Sequence, residues 1–248
     1  RLLDLDLGDA AADLAYDGAA LHLAGIEGQR GATRWDAGVT VDLGAEPVRV
    51  TEGHLAARGR LRDLFEAVVP RIPAAARARD ALDGEVALRV SARGPAAALD
   101  AAFEAELGPG QLAGRAYDRG AVAGRVEAGA TAVVERAELR RGAGAARGRG
   151  RVALSAPFAW DLSAQAEGWP LAELALPGEG WKGAVDGAGT ARGSWAAPRV
   201  AATAKARGVE VAQVAVGAVD LGARLDGAAL ALSARGDGVR VEVAGRTD

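Results

Sequence analysis

The chain has 248 residues, no Cys and a formal net charge of -3, and its composition includes 35 Gly but only 4% aromatic residues. Gly at this frequency excludes long helices, because each one in a helix interior costs about 1 kcal/mol. The absence of Cys excludes disulfides, thiolate catalysis and Cys-ligated metals, and the net charge provides no whole-molecule field that attracts nucleic acid. No apolar run approaches the roughly 18 residues that indicate a membrane-spanning helix. Because the chain starts at Arg1 and contains no Met, we expect it to be an excised piece, with any targeting segment upstream of it.

Apolar and polar residues alternate with period two along most of the chain, which is typical of strands with one apolar and one solvated face. The runs begin with Leu3, Leu5 and Leu7 and end with Val239, Val241 and Val243. About fifteen strands are predicted, most of them joined by short connections. Gly, Asp-Gly and Gly-Pro steps predict the turns. The turn signals are Asp17-Gly18, Asp83-Gly84, Gly94-Pro95, Gly108-Pro109, Asp186-Gly187, Asp226-Gly227 and Asp237-Gly238.

Two stretches interrupt the alternation. Residues 58–82 carry apolar residues at helical spacing, so we expect a short helical insertion there, mainly within 60–81. Residues 169–181 offer only a helical turn. Similar sequence follows each interruption, which indicates about two copies of a degenerate unit and an elongated array with contacts between neighbouring strands. The predicted segments are β repeats at 1–57, 83–168 and 169–248, with the insertion at 58–82.

The fold predicted from these features is mainly β: an elongated antiparallel sheet whose apolar side is either an open trough or the inside of a flattened sandwich. Many inward positions are Ala or Gly, so the apolar side cannot fill its own concavity. The candidate site is a lane of apolar residues on one concave face, because each run keeps one parity and adjacent strands align their apolar sides. Its predicted members are Val86, Leu88, Val90, Leu99, Phe103, Leu107, Val122, Val126, Phe158, Trp160 and Leu162.

Such a lane is suited to lipid. Each methylene moved from water to an apolar surface gains about 0.8 kcal/mol, so an acyl tail of about sixteen carbons exposed to water is penalised by roughly 13 kcal/mol. A protein that moves this tail has to offer a continuous apolar surface. A row of Val, Leu and Phe side chains, widened by Ala and Gly, provides one without individually tight pockets.

The chain resembles the TamB and AsmA-like superfamily of bacterial envelope proteins. The similar features are Leu61-Arg-Asp-Leu64 with its Pro-containing tail, Leu82-Asp-Gly-Glu-Val-Ala-Leu-Arg-Val, the Gly94-Pro95 step and the opening Asp13-Leu-Ala-Tyr-Asp-Gly-Ala-Ala-Leu-His-Leu. The resemblance covers most of the chain as a pattern of Gly, Pro and alternating aliphatic residues.

The resemblance implies a long, curled antiparallel sheet, an open β-groove, whose concave face carries phospholipid acyl chains between the inner and outer membranes. It also implies a periplasmic protein held at the inner membrane by a segment outside this chain. An outer-membrane barrel protein of the TamA type is the implied partner in outer-membrane biogenesis. No enzymatic activity, cofactor, metal or nucleic-acid partner is expected.

Other sequence features have less specific interpretations. Residues 142–151, with Arg140 and Arg141 before them, form the strongest basic cluster, which we interpret as a solvated hairpin or flexible loop, with lipid-headgroup contact as the alternative. His22 lies between two Leu residues and should point away from their side. No Ser lies in a GxSxG motif, and the early Asp residues lack calcium-loop spacing.

Two other functions remain open. A structural or adhesive β-solenoid has the same periodicity but a packed, dry interior. A β-helical polysaccharide enzyme requires acidic residues clustered at one point of the sheet, which spacing alone does not reveal.

Overall fold

The computed structural model describes residues 9–68, 82–112, 114–174, 180–194, 196–236 and 239–246. About 79% of this described chain is β-strand, and the strands pair antiparallel. The prediction of a mainly β, antiparallel sheet with a short helix is therefore confirmed. The sheet has 16 strands, one more than the number predicted.

The chain divides into two compact units, Arg1–Val133 and Val134–Asp248. The elements of the first unit are β1 (Asp9–Tyr16), β2 (Ala20–Arg30), β3 (Thr33–Asp42), β4 (Arg49–Arg60), α1 (Leu61–Val68), β5 (Leu82–Pro95), β6 (Asp100–Leu112), β7 (Arg115–Tyr117) and β8 (Arg119–Glu127). Strand β9 (Thr131–Arg141) crosses the division. The second unit continues with β10 (Gly144–Ala153), β11 (Trp160–Pro170), a 3-10 turn (Leu171–Glu173), β12 (Lys182–Ser194), β13 (Ala197–Val211), β14 (Val214–Asp226), β15 (Ala229–Gly236) and β16 (Val239–Arg246).

The order of strands in the sheet follows the order of the chain. Each strand is hydrogen-bonded to the one before it and the one after it, except that β7 pairs only with β6, so that β6 continues to β8. Strand β4 runs to Arg60 and β5 starts at Leu82. The predicted insertion is helical at Leu61–Val68, and residues 69–81 of that prediction lie outside the described residues. The segment boundaries predicted from sequence remain predictions.

Three strands contain a bulge built on a Gly in the left-handed region. These residues are Gly25 (φ 58°), Gly168 (φ 59°) and Gly208 (φ 59°). In β11 the pairs Ala166 with Gly187 and Trp169 with Val185 leave one extra residue on the β11 side. Because side chains alternate between faces, one extra residue brings Trp169 onto the same face as Ala166. The bulge therefore keeps these residues on one face, although their positions change from even to odd numbers along the chain.

The predicted turns at Asp83-Gly84, Gly108-Pro109 and Asp186-Gly187 are wrong, because all three lie inside strands. Gly84, with φ 136°, sits at a register shift in β5, where its freedom to adopt positive φ allows the bulge. Asp17-Gly18 lies in the connection between β1 and β2, Gly94-Pro95 forms the last two residues of β5, and Asp226-Gly227 spans the end of β14. Asp237-Gly238 lies outside the described residues.

Both helical interruptions are fastened to the preceding hairpin by an acidic side chain. The carboxylate of Asp63 in α1 accepts hydrogen bonds from the backbone N–H of Ala32 and from Thr33 Oγ1, both at 3.0 Å. Glu173 of the 3-10 turn accepts a hydrogen bond from Arg141 Nε at 2.8 Å. The two acidic residues occupy the same position in Leu61-Arg-Asp-Leu64 and Leu171-Ala-Glu-Leu174. This shared fastening supports the two-copy repeat.

Backbone conformation aligns the two copies. Gly84 and Gly183 have φ 136° and 116°, Gly94 and Gly193 have φ 115° and 111°, and each pair is 99 positions apart. Leu64 and Leu174 are 110 positions apart. The segment from Leu64 to Gly84 in the first copy is therefore longer than the corresponding segment from Leu174 to Gly183 in the second copy.

Replacing Gly183 with Ala should destabilise the second unit by about 3 kcal/mol. Its φ of 116° suits only Gly, and an added Cβ would lie 2.6 Å from Arg207 O and 3.0 Å from Leu171 Cδ1. Gly208→Ala is the matched control, because Gly208 has φ 59° with nothing within 4 Å of an added Cβ. It should cost only about 1 kcal/mol. Urea unfolding of both variants provides the measurement, and equal losses would contradict the packing described here.

Candidate functional site

The candidate site in the first unit is one face of strands β4, β5, β6 and β8. Val86 of β5 pairs with Gly59 and Leu107, and Val90 pairs with Leu55 and Phe103. Paired residues of an antiparallel ladder point to the same face. We call this surface the first apolar face; it comprises Leu55, Ala57, Val86, Leu88, Val90, Phe103, Ala105, Leu107, Val122 and Val126.

The first apolar face is half-buried over most of its area. Val86 is buried at 5% exposure, but Leu88, Val90 and Phe103 all keep intermediate exposure. A central sheet face packed under a second layer would bury such residues completely. The middle of the face is therefore apolar surface in contact with solvent.

The opposite face of these strands is polar. Arg89 pairs with Glu104 across β5 and β6, and Arg93 pairs with Asp100. All four side chains are exposed. The period of two thus separates charge from the apolar face along the whole length of these strands.

The register brings most of the candidate lane residues of the first unit together. Val86, Leu88, Val90, Phe103, Leu107, Val122 and Val126 all belong to the first apolar face. Leu99 precedes β6 and its carbonyl accepts a hydrogen bond from Gly129 N at 2.7 Å, so it lies at the end of the ladder. That the predicted lane residues contact lipid stays a prediction.

The second unit carries a comparable face on β10 to β16. Trp160 pairs with Val152 and Gly193, and Leu162 pairs with Gly150 and Ala191. We call this surface the second apolar face; it comprises Val152, Trp160, Leu162, Ala164, Ala191, Val200, Ala202, Leu221, Ala223, Leu225, Leu230, Leu232, Val241 and Val243. Val241 and Val243 are 49% and 51% exposed.

The sequence prediction missed most of the second apolar face. Leu230, Leu232, Val241 and Val243 were recognisable as strand residues from their alternation. Which of the two faces each strand presents depends on its register, and the bulge at Gly208 shifts that register by one residue. In the sequence, such a shift is located by a Gly that stands between apolar residues at even positions and apolar residues at odd positions. In the structure this Gly has the left-handed conformation.

Phe158 was predicted to continue the parity of Trp160 and Leu162, and the structure contradicts this. Phe158 lies in the connection between β10 and β11 with φ 53°, and its N–H donates to Ser155 O at 2.8 Å. Pro157 has no N–H to offer a ladder, and the chain turns there instead of extending the strand. Trp160 and Leu162 keep their predicted common face.

The second unit also contains a packed cluster of buried residues around its 3-10 turn. The buried members are Leu171, Val185, Ala206, Val209 and Val219, with Trp169, Leu174 and Trp181 packed against them. Within this unit, packed core and half-exposed face occupy different positions along the same strands.

The shifted titratable groups belong to turns, strand ends and the polar face. Backbone N–H groups of Ala20 and Ala19 lower the pKa of Asp17, and the Gly84 N–H with Arg60 lowers the pKa of Asp83. Burial raises the pKa of Tyr117, whose hydroxyl donates to Asp83 O at 3.4 Å. These interactions stabilise local backbone conformation.

Two other features of the sequence have polar partners. His22 pairs with Thr40, and its Nδ1 lies 3.3 Å from Thr40 Oγ1. In the basic cluster, Arg140 and Arg141 form ion pairs with Glu138 and Glu173, both at 2.7 Å. Residues 144–151 of this cluster lie in β10, so the cluster forms a hairpin with a short turn.

The described residues contain no group of three or more His, Asp or Glu side chains placed to hold a metal ion. No helix in that part of the chain is both long enough and apolar enough to cross a membrane. Comparison with protein-family models, curated proteins and solved structures finds no match to this chain.

Two Leu residues of β5 provide a test of the difference between packed and half-exposed positions. Leu82 is 8% exposed and Leu88 is half-buried. Leu82→Ala should lower the free energy of unfolding by about 3 kcal/mol, since it leaves a cavity in packed surroundings. Leu88→Ala should lower it by only about 1 kcal/mol, because solvent already reaches the site. Urea unfolding measures both values, and a loss at Leu88 as large as that at Leu82 would mean that the face is covered.

Proposed function

We propose that this chain is a non-enzymatic phospholipid conduit of the bacterial envelope, in which acyl chains lie against the apolar sheet faces. The observation that carries the proposal is the half-exposed state of Leu88, Val90 and Phe103 in the middle of a continuous apolar face. Exposing this surface to water is unfavourable, and an acyl chain laid on it removes apolar area from both partners.

Continuity within each unit supports the proposal. The positions that pair across the first apolar face, from β4 to β8, are all apolar residues or Gly. The same holds across the second apolar face. An acyl chain that moves along such a surface meets no charged side chain whose desolvation would halt it.

The proposal includes the setting implied by the resemblance to the TamB and AsmA-like superfamily. In that setting the chain lies in the periplasm, a segment outside it provides an anchor in the inner membrane, and a TamA-type barrel protein is the outer-membrane partner. The alternative of a packed solenoid is less well supported, because a dry interior requires the middle of the face to be fully buried.

Photo-crosslinking tests contact with lipid directly. A photoreactive amino acid at Leu88 or Phe103 should capture phospholipid from vesicles of phosphatidylethanolamine and phosphatidylglycerol. The same group at Arg89 or Glu104 should not, because these side chains lie on the opposite face of the same strands. Mass spectrometry of the adducts is the measurement, and equal labelling of the two faces would refute the assignment.

A single charge on the first apolar face should obstruct transport. Leu88→Asp and Phe103→Arg should each reduce phospholipid transfer by about tenfold or more, since an unpaired ion beside acyl chains costs several kcal/mol. Ser91→Asp and Ala102→Arg are the matched controls, because they place the same charges on the polar face of the same strands. Transfer of a fluorescent phospholipid between vesicles provides the readout.

The melting temperature of each charged variant separates this proposal from the packed solenoid. On a half-exposed face the new charge stays partly hydrated, so the fold should persist while transfer is lost. In a packed interior the same substitution would unfold the unit. Loss of the fold in Leu88→Asp together with a large loss of stability in Leu88→Ala would reject the conduit.

A further inference from the structure

The polar face of the second unit contains a concavity of about 1170 Å³ that extends over strands β9 to β16. Its walls are two rows of paired polar-face positions. One row includes Arg149, Ser163, Thr190 and Arg224; the other includes Arg147 and Gln165. We call this surface the polar groove.

The polar groove and the second apolar face lie on the two sides of the same strands. The row between the two walls belongs to the second apolar face and also contributes to the lining, through Ala164, Ala202, Ala223, Leu232 and Val243. Leu162 and Val200, which lie two residues away on the same strands and on the same apolar face, do not line the concavity. The concavity is therefore bounded by the polar-face side chains on either side of that row.

Arginines without ion-pair partners mark the polar groove. Within the described part of the chain, Arg136, Arg149 and Arg224 have no carboxylate within 4.0 Å. Arg192, on the same face but outside the lining, is instead paired with Asp161 at 3.0 Å. The groove thus presents guanidinium groups that are free to bind an anion.

The two acidic residues of the lining are already engaged. Glu242 accepts hydrogen bonds from Arg240 at 2.8 Å and Arg235 at 3.4 Å. Glu135 also has an interaction within the described chain. Four arginines and two glutamates line the concavity, so its charge balance is positive although the whole chain is negative.

Uncharged hydrogen-bonding side chains separate the arginines. Arg149 on β10 and Arg224 on β14 are four strands apart, which corresponds to about 19 Å at the usual strand spacing. Ser163, Thr190 and Thr203 lie on the strands between them. No aromatic side chain is part of the lining, so the groove offers no surface on which a nucleic-acid base would stack.

We propose that the polar groove binds an acidic polysaccharide in an extended conformation. Its carboxylates would bind the unpaired arginines, and its hydroxyl groups would exchange hydrogen bonds with the Ser, Thr and Gln side chains between them. The length of the groove and the separation of its charges favour a linear polymer over a single small anion. The proposal does not rest on lipid contact with the apolar faces.

Titration with oligomers of polygalacturonate tests the proposal on the 248-residue chain. Arg149→Gln and Arg224→Gln should each weaken binding by about tenfold, and the double variant should weaken it further, because each removes a charge-assisted contact. Arg192→Gln is the control and should leave the dissociation constant unchanged. Affinity should fall steeply with added salt, and dextran, which is uncharged, should not bind.

Stability measurements distinguish a binding role from a structural one. Arg149 and Arg224 have no ion pair to lose, so their Gln variants should keep the wild-type melting temperature. The proposal is overturned if the chain binds no polygalacturonate, if the variants bind it as tightly as the wild type, or if dextran binds equally well. Tighter binding of single-stranded DNA or polyglutamate than of polygalacturonate would also overturn it, by identifying a different class of polyanion.

Discussion

The alternation of side chains between the two faces of a strand is the constraint on which this structure depends. An antiparallel ladder transmits the parity of one strand to the next, so a single misplaced register would put every later apolar residue on the wrong face. Val86, Leu107 and Gly120 illustrate the continuity across three strands of the first unit. Because the register keeps apolar residues on one face from strand to strand, apolar surface is separated from charge. Both candidate binding surfaces result from this separation.

Stability and binding surface are placed at different positions along the same strands. In the second unit, Leu171 at 1% exposure and Val185 at 4% pack around the 3-10 turn, whereas Ala164 and Leu232 on the same sheet are exposed. The buried cluster supplies the dense packing that stabilises a folded unit. The middle of the strands is then free to carry apolar groups that serve a ligand, although they contribute less to folding.

Periodicity and Gly content were sufficient to predict the fold class, the helical insertion and most of the first apolar face. Sequence could not predict where registers shift, because Gly84 and Gly187 resemble turn residues and only pairing partners reveal that they lie within strands. Phe158 keeps the parity of Trp160 but is removed from the strand by the turn that follows Ser155. The polar groove depends on which arginines lack carboxylate neighbours, and spacing along the chain carries no information about that.

The left-handed glycines of the bulges affect how this sequence tolerates changes in its length. At Gly168 the β11 strand already accommodates one residue more than its partner, and residues on both sides of it still share a face. Gain or loss of a residue at such a point leaves the distant pairing intact, whereas the same indel in the middle of a strand would invert the face of everything beyond it. Evolutionary drift in strand length is therefore permitted at the bulges and opposed elsewhere. Related chains should accumulate their length differences at these glycines.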